Sequence, residues 1–81
     1  MSSRQANERK FEHWEDLADG GRRYWHDVLG HHGWIATYVK VVDASETTLE
    51  FWQEIYDETG HLFERHLKYP EDLGHEAMND E

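Results

Sequence analysis

The feature that most constrains the fold is a period of two in four segments joined by short connections. β-Branched and aromatic residues fill these segments, which are residues 22–29, 34–43, 47–57 and 61–69. This composition and spacing are typical of β-strands. A parallel crossover needs about a dozen residues or more, so the connections allow only antiparallel neighbours. The pattern predicts a mostly β (α+β) domain built on a four-stranded antiparallel β-meander.

One short helix is predicted before the meander. Apolar residues recur with the spacing of one side of a helix at Phe11, Trp14, Leu17 and Ala18. The double glycine Gly20-Gly21 is predicted to end this helix. Two turns are too short to be stable alone, so we expect the helix to lie on one face of the sheet.

The boundaries of the domain follow from the segments outside this pattern. Residues 1–9 are polar and lack periodicity, which predicts a flexible N-terminus. Residues 10–70 form the single small domain, and Pro70 ends the last strand because proline cannot donate a ladder hydrogen bond. Residues 71–81 are predicted to be an acidic, mostly disordered tail.

The register of the last hairpin can be predicted from the pleat. A three-residue loop with Gly60 in the left-handed conformation pairs Asp57 with His61. A two-residue loop would place Glu54 opposite Phe63, a carboxylate against the core. The three-residue loop, extended to the preceding hairpin, predicts one core face of Ile35, Val39, Val41, Leu49, Phe51, Ile55, Phe63 and Leu67.

The opposite face of this predicted sheet is unusually aromatic. Its aromatic residues are Trp34, Tyr38, Trp52, Tyr56 and His66, and the residues between them are Lys40, Glu50, Glu54, Glu64 and Lys68. The outer face of a sheet usually carries short polar groups. The parity of strand 22–29 is left open, so either Trp25 or Tyr24 could join this face. The face that the helix covers is also left open.

The net charge is −10, from 18 acidic and 8 basic side chains. This balance argues against a surface that binds nucleic acid directly. Residues 1–42 are neutral, whereas residues 43–81 hold twelve acids and only Arg65 and Lys68 as bases. The asymmetry indicates either an acidic surface that meets a basic partner or an adaptation to solubility and salt.

The chain has no cysteine, no long apolar run and no charged-then-apolar leader. We therefore expect no disulfide, no thiolate metal site and no membrane partner, and we expect a cytoplasmic protein. No glycine-rich phosphate loop or dinucleotide fingerprint is present, so no cofactor is predicted.

Metal and catalytic sites receive little support from the sequence. The spacing of the seven histidines matches no ligand set, so no metal site is predicted. Glu54 and Glu64 oppose each other in the predicted register, but nearby bases favour a structural ion pair over acid–base catalysis. No catalytic residue is therefore predicted. The alternative is a small nuclease-like toxin or metal-assisted hydrolase that uses His66, Glu54 and Glu64.

One pattern spans about residues 10–75 of the chain. It consists of Gly33-Trp34, Tyr38-Val39-Lys40, Val42-Asp43, residues 51–57, Gly60, Leu62, Glu64, His66, Lys68-Tyr69-Pro70, Asp72 and Gly74-His75. This pattern resembles a group of small uncharacterised bacterial proteins. The resemblance implies a natural, compact domain. It implies no activity, cofactor or site residue.

The sequence favours a non-enzymatic, acidic protein-interaction module. Small acidic proteins of this kind include antitoxins, inhibitors and nucleic-acid mimics. The predicted partner-binding residues lie on the aromatic and acidic face: Tyr38, Glu50, Trp52, Glu54, Tyr56 and His66. The expected partner is a protein with a basic surface. A simple homodimer that uses the same face or an edge strand is the second alternative.

Overall fold

A computed structural model of the chain describes residues 3–70 and 74–77. Within these residues, one helix and six strands follow one another: α1 (Ser3–Lys10), β1 (His13–Asp16), β2 (Arg22–Leu29), β3 (Ile35–Val42), β4 (Thr48–Tyr56), β5 (Leu62–Tyr69) and β6 (Gly74–Ala77). A short 3-10 turn, His31–Gly33, joins β2 to β3.

The strands form one antiparallel sheet in the order β1-β2-β3-β4-β5-β6. The predicted fold class is confirmed, and the four predicted strands correspond to β2–β5. The predicted number of strands is too low, because the short strands β1 and β6 extend the sheet at its two edges. β6 falls in the predicted tail, and the rest of that tail, residues 71–73 and 78–81, lies outside the described residues.

The helix lies earlier in the chain than predicted. Residues 3–10 are helical, although residues 1–9 were predicted to be a flexible N-terminus, and residues 13–16 form β1 in place of the predicted helix. Helix α1 is polar on all sides and its one buried residue is Asn7, so it has no apolar period to reveal it. The glycines at 20 and 21 belong to the turn between β1 and β2 and do not cap a helix.

Three hairpin loops share one geometry. In each loop the backbone N–H of the first residue donates a hydrogen bond to the carbonyl oxygen of the fifth, at Leu17–Gly21, Asp43–Thr47 and Asp57–His61. The fourth residue is left-handed in each, with φ of 88° at Gly20, 66° at Glu46 and 85° at Gly60. The predicted loop around Gly60 is confirmed. Glu46 is the exception, because a non-glycine residue adopts this conformation only when its surroundings hold it there.

Three single-residue bulges shift the strand register away from the prediction. Tyr56 opposes Leu62 as predicted, but the next pair is Ile55 with Glu64, so Phe63 is skipped in the pairing with β4. Lys68 is skipped in the same way between Leu67 and Tyr69. Leu49 is skipped on β4, because Val41 opposes Glu50 and Val42 opposes Thr48. Each bulge moves the following pairs by one residue.

The predicted single core face is therefore wrong. Trp52 lies between Val39 and Leu67, whereas Phe51 lies between Lys40 and Tyr69. Side chains alternate across a strand, so the predicted core residues are divided between two faces. Leu49 and Phe63 are exposed at their bulges. We call the face that carries Tyr24, Tyr38 and Phe51 the helix face, and the face that carries Trp25, Val39, Trp52, Glu54 and Tyr56 the tryptophan face.

The fully buried core lies on the helix face. Phe11, directly after α1, is buried together with Tyr24 and Val42, and Tyr38 and Phe51 pack against this cluster. The Phe11 ring centroid lies 5.7 Å from that of Tyr24 and 6.5 Å from that of Phe51. Phe11 is thus the side chain that closes this face of the sheet.

The carboxylate of Glu46 connects α1 to the sheet. It accepts hydrogen bonds from Tyr24 Oη at 2.7 Å, Asn7 Nδ2 at 3.1 Å and Arg4 Nε at 3.3 Å. Burial would raise the pKa of Glu46, but these hydrogen bonds outweigh burial and lower the pKa below its ordinary value. The same contacts account for the left-handed backbone of Glu46.

Arg22 supplies a second connection between helix and sheet. Its guanidinium donates to Glu8 on α1 at 2.7 Å and to Asp16 on β1 at 2.8 Å. It also lies over the rings of Trp14 and Tyr24. Burial would lower the pKa of Arg22, but the two carboxylates raise it, so this side chain stays charged.

Replacing Phe11 should destabilise the domain far more than replacing Leu49. We expect Phe11→Ala to lower the free energy of unfolding by about 3–5 kcal/mol, because it leaves a cavity in the core. Leu49→Ala should cost about 0.5 kcal/mol or less, because Leu49 is already exposed. Urea denaturation of both variants measures this difference. Equal losses would contradict the observed register.

Glu46→Gln should lower the free energy of unfolding at neutral pH by about 1–3 kcal/mol, because the donors that bind Glu46 lose a charged acceptor. The folded-state pKa of Glu46 is depressed, so its stabilisation is complete above the ordinary value of 4.5 and is lost as the pH falls through the folded value. The difference between wild type and Glu46→Gln should therefore shrink in acid. Urea denaturation across this pH range tests it, and Glu12→Gln, at an exposed position, is the control.

Candidate functional site

A carboxylate lies between two aromatic side chains on the tryptophan face. Glu54 accepts a hydrogen bond from Trp52 Nε1 at 2.9 Å and another from Tyr56 Oη at 3.0 Å, one on each carboxylate oxygen. The three residues follow one another at intervals of two along β4, which places them on the same face. All three are half-buried. The hydrogen bonds orient both aromatic rings around a fixed negative charge.

Arg65 lies beside this group on β5. It is the direct cross-strand partner of Glu54, and its Cζ atom lies 5.2 Å from the centroid of the Trp52 ring. This distance is typical of a cation–π contact. Among the described residues, the buried Nε atom of Arg65 has no hydrogen-bond partner. The contact that the structure describes for this guanidinium is its position over the ring of Trp52.

A second tryptophan, Trp25 on β2, also has an arginine over its ring. Trp25 pairs with Val39, which in turn pairs with Trp52. The Cζ atom of Arg23 lies 5.5 Å from the Trp25 ring centroid, and His13 stacks on the same ring at 5.6 Å. Val39 is only 5% exposed between the two tryptophans. The tryptophan face thus has a small apolar centre of its own.

Carboxylates border this aromatic surface. Asp27 lies on the same face, where it accepts a hydrogen bond from Thr37 at 2.6 Å, and Thr37 opposes Glu54. Burial, the hydrogen bond to Glu54 and the charge of Asp27 all raise the pKa of Tyr56. Tyr56 therefore remains a neutral hydrogen-bond donor at neutral pH.

The structure brings together four of the six predicted binding residues. Glu50, Trp52, Glu54 and Tyr56 alternate along β4 and share the tryptophan face. Tyr38 and His66 lie on the helix face, because the bulges place them in register with Gln53. The predicted placement of these two residues on the same face as Trp52 is therefore wrong, and Val39 and Leu67 are the cross-strand partners of Trp52.

Tyr38 belongs to the aromatic packing of the helix face. Its hydroxyl accepts a hydrogen bond from Gln53 Nε2 at 3.1 Å, and its ring stacks with those of His26 and Phe51. Trp34, also predicted on the aromatic face, precedes β3. It donates a hydrogen bond to Glu58 and contacts the ring of Phe63.

The residues of the alternative catalytic set do not converge. Glu54 opposes Arg65, and Glu64 opposes Ile55, so the two carboxylates are on opposite faces of the sheet. His66 pairs with Gln53 on the helix face. The predicted opposition of Glu54 and Glu64 is wrong, because the bulge at Phe63 separates them.

Sequence reasoning missed the contributions of Arg65 and Arg23 and left the choice between Trp25 and Tyr24 open. Alternation along β2 places Trp25 on the tryptophan face and Tyr24 in the core on the other face. In the sequence, the loop before β3 left the parity of this strand open. The available signal for a cation–π contact was an arginine on a strand next to one that carries aromatic residues. A contact could be predicted from that signal only with the correct register between the strands.

No metal site and no membrane helix is found in the part of the chain that the structure describes. Among residues 3–70, no three histidine, aspartate or glutamate side chains are grouped to hold a metal ion. None of the described helices has the length and apolar character needed to cross a membrane. Comparisons of the chain with protein families, with curated proteins and with solved structures give no match.

The link between Glu54 and Tyr56 can be tested by titration. We expect the pKa of Tyr56 to lie above its ordinary value of 10.0 and to fall in Glu54→Gln, because the neutral amide no longer stabilises the protonated phenol by charge. NMR titration of ring-labelled tyrosine measures this pKa. Glu50→Gln removes a charge from the same strand and should change it less. An unchanged value in Glu54→Gln would refute the contact.

Proposed function

We propose that the protein is a non-enzymatic binding module that docks on another protein through the tryptophan face. The observation that carries the proposal is the grouping of Glu50, Trp52, Glu54 and Tyr56 on the side of the sheet opposite α1 and Phe11. Aromatic residues anchor protein interfaces, since they bury a large apolar area with few rotatable bonds. The hydrogen bonds to Glu54 limit the rotation of Trp52 and Tyr56 before any partner arrives.

The charge of this face supports a partner with a basic surface. Within residues 3–70, four carboxylates lie on it, those of Glu15, Asp27, Glu50 and Glu54, and they outnumber the guanidiniums of Arg23 and Arg65. The whole chain carries a net charge of −10, which favours the approach of a basic protein. Such a role is typical of small acidic inhibitors and antitoxins. The lack of cysteine supports a cytoplasmic location.

Recovery of partners by matched baits tests this proposal. Wild type, Trp52→Ala and Trp14→Ala are immobilised, and proteins from a lysate of the source organism are quantified on each. Trp14 is 40% exposed and pairs with Tyr24 on the helix face, so its replacement controls for the loss of a surface tryptophan. A basic protein should be retained by wild type and Trp14→Ala and lost from Trp52→Ala.

The affinity of the recovered protein provides the quantitative test. We expect Trp52→Ala to weaken binding about 30-fold, the effect of losing an interface residue that contributes 2 kcal/mol. Binding should also weaken as salt rises, because the charges are screened. Equal binding by all three baits would contradict the proposal. A stable homodimer that is lost in Trp52→Ala would support the alternative of self-association, measured by light scattering of the purified protein.

A further inference from the structure

The three lysines of this acidic chain lie together on the helix face. The Nζ atom of Lys10 lies 5.6 Å from the ring centroid of Phe11, and that of Lys68 lies 5.5 Å from the ring centroid of Tyr38. Lys40 is on the central strand β3, directly opposite Phe51. Phe51 also packs against the rings of Phe11 and Tyr38. Each of the three aromatic residues in this cluster, Phe11, Tyr38 and Phe51, therefore has a lysine next to it.

These lysines differ from the arginines in their partners. Arg4, Arg22 and Arg23 form ion pairs with carboxylates. Within residues 3–70 none of the three lysines does so, although the chain has 18 acidic residues. Lys40 donates one hydrogen bond, to the amide oxygen of Asn7 at 2.9 Å. Its ammonium has two further protons to donate.

A cavity of about 430 Å³ is lined by two of these lysines, Lys10 and Lys40. Its apolar walls are the rings of Phe11, Phe51 and Tyr69, and its polar lining includes Lys10, Lys40 and Thr48. A volume of this size is within the range of about 300–1,000 Å³ of small-molecule sites. The combination of ring faces, a hydroxyl group and ammonium groups is complementary to a molecule with a flat apolar body and a negative head.

The electrostatics of the cavity also favour an anion. Burial lowers the pKa of Lys40, and repulsion from Lys10 lowers it further, so both ammoniums are less stable together than apart. Glu46 is the carboxylate that offsets part of this repulsion. Its oxygens are already held by Tyr24, Asn7 and Arg4. An anion in the cavity would contact both ammoniums without displacing those hydrogen bonds.

We propose that this lysine cavity binds a small organic anion, an aromatic carboxylate, with the carboxylate between Lys10 and Lys40 and the ring against Phe51 and Tyr69. The cavity is on the face opposite the proposed protein-binding surface, so the two proposals are independent. Binding would relieve the repulsion between the lysines and bury the ring between apolar side chains.

Titration with benzoate tests the proposal, with benzyl alcohol as a neutral molecule of similar size and inorganic phosphate as an anion without a ring. Heteronuclear NMR follows the ammonium of Lys40 and the methyl group of Thr48 in the full chain. We expect saturable shifts with benzoate and much weaker ones with the other two. No saturable shift with benzoate, or equal affinity for benzyl alcohol or phosphate, would overturn the proposal.

Two variants of equal charge locate the site. Lys40→Met should weaken benzoate binding about tenfold, because it removes a charge-assisted hydrogen bond. Arg23→Met removes one positive charge from the tryptophan face and should leave the affinity within about twofold. Far-UV circular dichroism and urea denaturation establish that both variants are folded. If Lys40→Met does not fold, Lys10→Met makes the same test from the exposed end of α1. Equal effects of the lysine and arginine variants would contradict the assignment.

Discussion

Three single-residue bulges determine which side chains share a face of the sheet. Because side chains alternate along a strand, one inserted residue exchanges the faces of every pair beyond it. The bulges at Leu49, Phe63 and Lys68 do this on both sides of β4. They bring Trp52 into register with Val39 and Leu67, and Phe51 into register with Lys40 and Tyr69. Both the candidate protein-binding surface and the lysine cavity depend on this register.

The helix face is closed by polar contacts more than by an apolar helix. Helix α1 presents no apolar stripe, and its one buried side chain is the amide of Asn7. Glu46 holds that amide together with Tyr24 and Arg4, and it does so from a left-handed backbone position where the two related loops have glycine. The arrangement places Phe11 over the sheet. A buried carboxylate in a hydrogen-bonded network costs little when every partner is present and much when one is removed.

The sequence predicted the elements that depend on local chemistry. Alternation and short connections gave the antiparallel meander, and Gly60 gave its loop, since each of these follows from neighbouring residues. The bulges could not be predicted, because a bulge depends on the packing of both strands and leaves no fixed residue pattern. Half of the candidate core was therefore assigned to the wrong face. Four site residues remained together because they alternate along one strand, whereas Tyr38 and His66 were assigned through the register between strands. Helix α1 was missed because its stability comes from the distant residue Glu46.

The two faces of the sheet use their basic residues in different ways. Arg23 and Arg65 lie over the rings of Trp25 and Trp52, where a guanidinium covers an apolar ring and still keeps donors for water or a partner. On the helix face, Lys10 and Lys40 instead line a cavity, where the proposed anion would meet two compact charges. Phe51 and Trp52 are neighbours on β4 and project to the two opposite faces, and the bulge at Lys68 lies directly across from them. A substitution that removed the bulge at Phe63 would shift the β5 partners of both Phe51 and Trp52 by one residue, so it would alter both surfaces together. The two sites are therefore separate in their chemistry but share one structural determinant.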